Sequence, residues 1–86
     1  MIRILFMPSF VRQMNRLEAD LTEEVFDRIE LFKDTKNHQL LKVHKLHGEL
    51  AGQFSFSVDY KIRIVFKYLS KNEVVLLVIG DHDIYR

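Results

Sequence analysis

The sequence contains no cysteine and no tryptophan, and only one proline and three glycines among its 86 residues. The absence of cysteine excludes disulfides, thiolate zinc sites, iron–sulfur clusters and cysteine nucleophiles, and it suits a reducing cytoplasm. The longest apolar run, Val74 to Ile79, is far too short to span a membrane. The amino terminus lacks the apolar core of a signal peptide. We therefore expect a cytoplasmic protein with no membrane partner.

The length and composition are those of an ordinary small globular domain. Hydrophobic residues make up 48% of the chain and charged residues 29%. A chain of 86 residues has room for one hydrophobic core. We therefore expect a single domain that covers residues 1–86.

The net charge of +1 conceals an uneven distribution of charge. Seven acidic residues lie between Glu18 and Asp34, against two basic ones. The segment from Tyr60 to Asn72 has no acidic residue and four basic ones. This pattern predicts an acidic helix on an otherwise basic domain, which could present an anion-binding surface. Lysines that are simply solvated remain the alternative.

The first third of the chain predicts a strand followed by two helices. The apolar run Ile2–Met7 ends at Pro8, a residue that fits the first turn of a helix. Apolar residues then recur at helical spacing: Phe10, Met14, Leu17 and Leu21. Thr22 is the expected cap of the second helix, whose apolar stripe is Val25, Ile29 and Phe32. The two helices form a hairpin that must bury these stripes against another element.

The remainder of the chain predicts strands that supply this partner. A short extended segment is expected at Val43–Leu46, and alternating apolar residues predict strands from Phe54 to Val58 and from Ile62 to Phe66. The apolar segment Glu73–Ile79 predicts a central strand. The order β-α-α-β-β-β indicates an α+β fold, with the helical hairpin on one face of a curved, mainly antiparallel sheet.

The turn between the two alternating strands leaves their register open. If the link from Val58 to Lys61 closes as a two-residue turn, Phe54 and Phe56 share a face with Arg63. A longer turn places Ser55 and Ser57 on that face instead.

Two polar features are candidates for function. Arg63 lies within a strand, where the scaffold can hold a guanidinium for bidentate phosphate recognition; an ion pair with Glu73 or Asp59 is the alternative. The carboxyl-terminal segment Gly80–Arg86 places His82 beside carboxylates, although a solvated terminus would have the same composition. His44 and His47 would point to opposite faces of an extended segment, so no metal site is predicted.

Three stretches, taken together with the length and the element order, resemble the RelE/ParE superfamily of type II toxins, and in particular its YoeB and YafQ branches. These stretches are His44–Val58, Tyr60–Phe66 and Gly80–Tyr85. The resemblance implies a bacterial or archaeal toxin that pairs with a cognate antitoxin, in a heterotetramer or a larger complex. Most RelE-like members are ribosome-dependent endoribonucleases that cut messenger RNA in the A site without a metal or cofactor.

The resemblance also implies roles for individual residues. Arg63 matches the arginine that stabilises the scissile phosphate, and His82 matches the histidine that serves as general acid. His44 falls where these branches place the general base for the attacking 2′-hydroxyl. The expected contacts to phosphate or RNA are Lys45, Lys61 and Tyr85.

The sequence departs from one part of the family pattern. RelE carries lysines on the strand before the arginine, and the aligned positions here are Phe54 and Phe56. A nuclease built on this chain would therefore use histidines. Two other functions stay open within the superfamily: a ParE-like inhibitor of DNA gyrase without catalysis, and an inactive member that only binds an antitoxin.

Overall fold

The computed structural model describes residues 1–81 and residue 84, which form two helices and a five-stranded sheet. In chain order the elements are β1 (Arg3–Phe6), α1 (Pro8–Met14), α2 (Ala19–Phe32), β2 (His44–Lys45), β3 (Phe54–Ser57), β4 (Arg63–Ser70) and β5 (Glu73–Gly80). Short 3-10 turns occupy Thr35–Asn37 and Gly48–Leu50. Across this described part of the chain, no helix is long and apolar enough to cross a membrane.

The sheet has the strand order β1-β5-β4-β3-β2. β1 runs parallel to β5, and the other neighbouring strands are antiparallel. β5 lies between β1 and β4, so it is an interior strand, and Val74 and Val75, which point to opposite faces, are both buried, as the apolar run Val74–Ile79 predicted. The predicted α+β fold with a mainly antiparallel sheet is confirmed.

The boundary between the helices differs from the prediction. α1 ends at Met14 and α2 begins at Ala19, so the apolar stripe expected on one helix places Phe10 and Met14 in α1, Leu17 in the link and Leu21 in α2. The prediction of Thr22 as the helix cap is wrong, because Glu18 occupies the N-cap position. The Thr22 hydroxyl instead donates to the Glu18 carbonyl oxygen at 3.1 Å. A threonine inside the first turn can satisfy the carbonyl four residues earlier, as it does here.

The core lies between the helices and one face of the sheet. The predicted stripe of α2, Val25, Ile29 and Phe32, is buried in it. The Phe32 ring stacks on Phe56 of β3 with 4.5 Å between ring centroids, and on His38 at 4.6 Å. The His38 ring nitrogen Nε2 also donates to the Phe32 carbonyl oxygen at 2.8 Å, so this histidine serves the core.

α1 completes the edge of β5 where β1 is too short to do so. β1 ends opposite Leu76, and the pairing of β5 with β4 is irregular just beyond that point. The Ser9 hydroxyl donates to the Leu77 carbonyl oxygen at 2.9 Å, and Gln13 Oε1 accepts the Ile79 N–H at 2.8 Å. These side chains satisfy backbone groups that would otherwise lie unpaired at a partly buried edge.

The link between β3 and β4 adopts the longer of the two predicted turns. Ser57 pairs with Arg63, and Phe56 pairs with Ile64, so residues 58–62 form a loop. Val58 and Ile62, which were expected at strand ends, therefore belong to this loop. The register directs Phe54 and Phe56 towards the helices and places Ser57 on the same face as Arg63.

Candidate active site on the open sheet face

The sheet face that points away from the helices carries two of the predicted catalytic residues. His44 pairs with Ser55, and Arg63 pairs with Ser57, at positions two residues apart on β3. Directly paired residues point to the same side of a sheet, and so do residues two apart on one strand. We call this face, which carries His44, Ser55, Ser57, Arg63 and Gly80, the open sheet face; His44 is exposed on it, Ser57, Arg63 and Gly80 are partly exposed, and Ser55 is fully buried.

The separation of His44 and Arg63 follows from the strand geometry. They lie on the two strands that flank β3 and are offset by two residues along it. Strand spacing and rise per residue therefore place their Cα atoms roughly 10–12 Å apart. An imidazole and a longer arginine side chain can approach one bound group from the two sides of such a gap.

The hydrogen bonding of His44 determines which ring nitrogen is free. Nδ1 lies 2.9 Å from the carbonyl oxygen of Lys42. A carbonyl oxygen can only accept, so Nδ1 must carry the hydrogen. In the neutral ring Nε2 then presents a lone pair, and the side chain is exposed. This is the arrangement that a general base requires.

The turn before His44 is held in an unusual backbone conformation. Lys42 has a φ angle of 59°, in the left-handed region that residues other than glycine rarely adopt. The Val43 N–H donates to the His38 carbonyl oxygen at 3.0 Å across this turn. The position of the Lys42 carbonyl, and with it the tautomer of His44, is therefore set by a tight local structure.

Arg63 is held by backbone carbonyls. Its Nη1 donates to the carbonyl oxygen of Asp59 at 2.6 Å and to that of Ile62 at 3.2 Å. Its Nη2 donates to the carbonyl oxygen of Tyr60 at 3.1 Å. Three of the five guanidinium hydrogens thus bind the loop at residues 58–62.

The ion pairs considered as alternatives for Arg63 do not form. Glu73 lies at the far end of β5, where its carboxylate is 3.8 Å from Nη1 of Arg3. The Asp59 carboxylate accepts hydrogen bonds from the backbone, at Lys61 N and Ile62 N. Within residues 1–81 and 84, no carboxylate pairs with Arg63. None of these described residues binds the Nε–H or the second Nη2 hydrogen of Arg63. Its two free donors and its positive charge can therefore serve a bound anion.

The two predicted lysine contacts occupy different places. Lys45 pairs with Phe54 and so belongs to the helix side of the sheet, away from His44 and Arg63. Lys61 is an exposed residue of the loop at 58–62, two positions before Arg63. Their contacts to phosphate stay predictions. The predicted general acid His82 and the predicted RNA contact Tyr85 lie outside the described residues.

The end of β5 also contributes to the open sheet face. Gly80 pairs with Arg63, and the chain then turns, with the Ile84 N–H donating to the Asp81 carbonyl oxygen at 3.1 Å. The Ile84 side chain packs against Gly80. A Cβ atom added at Gly80 would overlap Cγ2 of Ile84. The glycine thus lets residue 84 pack directly beside the Arg63 strand.

Sequence reasoning missed the contributions of Lys42, Asp59 and Gly80. A signal existed for Asp59, because an aspartate before a short turn commonly bonds to the backbone two residues on. Gly80 could have been noticed as a glycine at the end of an apolar strand, where close approach of another segment is common. Nothing in the sequence marks Lys42 as left-handed.

Comparison with known proteins identifies the fold. No family model and no curated protein matches the sequence. Solved structures do match: the YoeB/ParE toxin from Agrobacterium tumefaciens is 22% identical with a TM-score of 0.75, covering 94% of this chain and 99% of that one. The RelBE2 toxin–antitoxin complex from Mycobacterium tuberculosis is 20% identical with a TM-score of 0.72, covering 94% and 98%.

A third solved structure has a similar fold over nearly the whole chain. The YoeB–YefM complex from Staphylococcus aureus is 15% identical with a TM-score of 0.73, covering 95% of this chain and 98% of the other. At these identities the similarity concerns the fold. The chain has the fold of the RelE/ParE toxins, with YoeB among its structural neighbours, and the resemblance seen in the sequence is confirmed to that extent.

Proposed function

We propose that this chain is the toxin of a toxin–antitoxin pair and that it cleaves messenger RNA on the ribosome. The observation that carries the proposal is the placement on one sheet face of the partly exposed, cationic Arg63 and of the exposed His44, whose Nε2 has no hydrogen-bond partner among the described residues. The shared fold with YoeB and RelE-type toxins supports it.

The proposed reaction is attack of a ribose 2′-hydroxyl on the adjacent phosphate. A bond forms between the 2′-oxygen and phosphorus while the bond to the 5′-oxygen breaks, which leaves a 2′,3′-cyclic phosphate and a 5′-hydroxyl. The 2′-hydroxyl proton must pass to a base, and the departing 5′-oxygen must receive a proton from an acid. Negative charge grows on the phosphoryl oxygens and needs a cation nearby.

The residues of the open sheet face fit two of these requirements. His44 Nε2 takes the 2′-hydroxyl proton, because Nδ1 is already committed to Lys42. Arg63 stabilises the phosphoryl oxygens through its Nε–H and its remaining Nη2 hydrogen. The predicted acid is His82, assigned by resemblance alone. Since protein side chains fill all three roles, the proposed step needs no metal ion or cofactor.

The composition of this face agrees with a histidine-based mechanism. The register turns Phe54 and Phe56 into the core side and leaves Ser55 and Ser57 between His44 and Arg63. Both serines are small, but Ser55 is fully buried and only Ser57 is partly exposed, so Ser57 is the one of the two that a substrate could meet. Serines cannot replace the lysines of RelE as cations, so the charge must come from Arg63 and from basic residues around it.

An antitoxin is the proposed protein partner, in a heterotetramer or a larger complex. The helix side of the molecule has an apolar groove of about 290 Å³ lined by Phe6, Val11 and Phe26, among other residues. Phe6 is 43% exposed and Phe26 is 52% exposed. Exposed apolar grooves mark protein interaction sites, so an antitoxin segment with an apolar face fits here.

Because the proposed target is the ribosome, we expect the toxin to act in the cytoplasm.

The test is cleavage in a translating bacterial extract. Purified wild-type protein is added, and the 5′ ends of the messenger are mapped by primer extension, beside His44→Ala, Arg63→Ala and His82→Ala. His47→Ala is the matched control, since it removes an exposed histidine outside the proposed site. We expect new ends inside codons with wild type and His47→Ala, and their loss in the other variants.

Two outcomes would contradict the proposal in different ways. If folded wild-type protein produces no new ends, the nuclease function is wrong, and inhibition of gyrase supercoiling becomes the next assay. If cleavage survives in both His44→Ala and Arg63→Ala, the protein is a nuclease whose active site lies elsewhere.

A further inference from the structure

We propose that Asp59 is a positioning residue for Arg63. Its carboxylate folds the loop at residues 58–62 so that three backbone carbonyls hold the guanidinium on the open sheet face. The catalytic consequence rests on the proposed function, whereas the positioning itself can be tested without it.

The loop is organised by a single carboxylate oxygen. Asp59 Oδ1 accepts hydrogen bonds from Lys61 N at 2.8 Å and from Ile62 N at 2.6 Å. Such a side-chain-to-backbone turn is typical of aspartate and asparagine. The Val58 N–H donates to the Ile62 carbonyl oxygen at 2.9 Å and closes the loop at its base.

The folded loop turns its carbonyl oxygens towards Arg63. The carbonyls of Asp59, Tyr60 and Ile62 accept from Nη1 and Nη2 at 2.6, 3.1 and 3.2 Å. All three carbonyls belong to residues of the turn that the Asp59 carboxylate closes. If the carboxylate were removed, this five-residue loop would lose two of the hydrogen bonds that fix its path and keep the one that closes its base.

Carbonyl ligands orient an arginine without neutralising it. A carboxylate partner would offset the positive charge and occupy one edge of the guanidinium fork. Here the Asp59 carboxylate is occupied by backbone N–H groups and makes no ion pair with Arg63. Among the described residues no carboxylate offsets the charge of Arg63 while its side chain is already ordered, and ordering before binding lowers the cost of holding a phosphate.

Asparagine and alanine at position 59 separate this role from a general effect on folding. Asparagine keeps an oxygen at the same place and can accept the same two hydrogen bonds, whereas alanine has no acceptor. Asp59→Asn should therefore preserve the loop and the position of Arg63, and Asp59→Ala should release both. Tyr60→Ala is the matched control, because it removes an 88% exposed side chain and keeps the carbonyl that binds Arg63.

The first measurement is the NMR signal of the Arg63 guanidinium together with hydrogen exchange at the Lys61 and Ile62 amides. We expect restricted Nη rotation and protected amides in wild type, Asp59→Asn and Tyr60→Ala. In Asp59→Ala the Nη signals should average and the two amides should exchange rapidly. A restrained Arg63 in a folded Asp59→Ala protein would overturn the proposal.

The second measurement is the rate of ribosome-dependent cleavage. Asp59→Ala should slow cleavage about 10- to 100-fold, since small displacements of a positioning group have effects of this size. Asp59→Asn should restore the rate, and Asp59→Ala should cause no further loss in an Arg63→Ala background. Multiplied losses in the double variant would show that Asp59 acts independently of Arg63. If wild type does not cleave at all, the proposed function fails, and the NMR result still decides the positioning role.

Discussion

His44 and Arg63 lie on the same face of the sheet, on opposite sides of β3, because His44 pairs with Ser55 and Arg63 with Ser57. A slip of one residue in either pairing would send one of the two side chains to the helix face. The candidate site therefore depends on the register of β3 as much as on the identity of its residues.

The left-handed backbone at Lys42 predicts that glycine is favoured there. Left-handed geometry costs an ordinary residue about 1–2 kcal/mol, and the greater freedom of glycine in the unfolded chain offsets part of the gain. Lys42→Gly should raise the free energy of unfolding by up to about 1 kcal/mol, measured by urea denaturation. It keeps the carbonyl that binds His44, so cleavage should be unchanged. Lower stability in this variant would contradict the assignment of strain to Lys42.

The contact between Gly80 and Ile84 predicts a clash and its relief. Gly80→Ala introduces a Cβ that overlaps Ile84 Cγ2, so residue 84 must move away from the Arg63 strand. We expect slower ribosome-dependent cleavage. Ile84→Ala removes the overlapping atom, and the double variant should recover activity relative to Gly80→Ala alone. If Gly80→Ala cleaves at the wild-type rate, the packing of residue 84 on the strand has no role in the site.

The hydrogen bond from Ile79 to Gln13 predicts a cost in stability. Gln13→Ala leaves a partly buried N–H without its acceptor, a change that costs about 1–3 kcal/mol. Arg12→Ala, at an exposed neighbouring position of α1, should change stability by less than about 0.5 kcal/mol. Both values come from urea unfolding. Equal effects of the two substitutions would mean that α1 does not support the edge of β5.

Tyr68 predicts a dependence of stability on alkaline pH. Burial raises the pKa of Tyr68 above its ordinary value of 10.0. Because the folded state favours the protonated phenol, its contribution is fully present below that value and is lost as pH rises through the folded pKa. The stability of wild type should fall as pH rises above about 10, and the fall should be smaller in Tyr68→Phe. Tyr60→Phe, at an exposed tyrosine, should behave like wild type.

Strong local patterns predicted most of the fold. The apolar run from Val74 to Ile79 indicated a central strand because nothing polar interrupts either face. The stripe of Val25, Ile29 and Phe32 indicated which side of α2 is buried. Weaker signals failed where tertiary contacts decide, as at Thr22, whose hydroxyl bonds inside the first turn of α2.

The candidate site could be predicted only in part. Arg63 was identifiable as a cation in a strand, but the alternation around Phe54 and Phe56 fits either turn between β3 and β4. The choice depends on the loop that Asp59 and Arg63 build together. Lys45 is adjacent to His44, and only the pairing of the two-residue strand β2 shows that they point to opposite faces.

The most direct test of the central claim is a single-turnover measurement of messenger cleavage on programmed ribosomes by wild type, His44→Ala, Arg63→Ala and the double variant. Groups that act on one phosphate as a unit show strongly non-additive losses. We predict that each single substitution slows cleavage by at least about 100-fold, and that the double variant is no slower than the slower single variant. Rates that are unchanged in either single variant, or losses that multiply in the double variant, would contradict a shared site for His44 and Arg63.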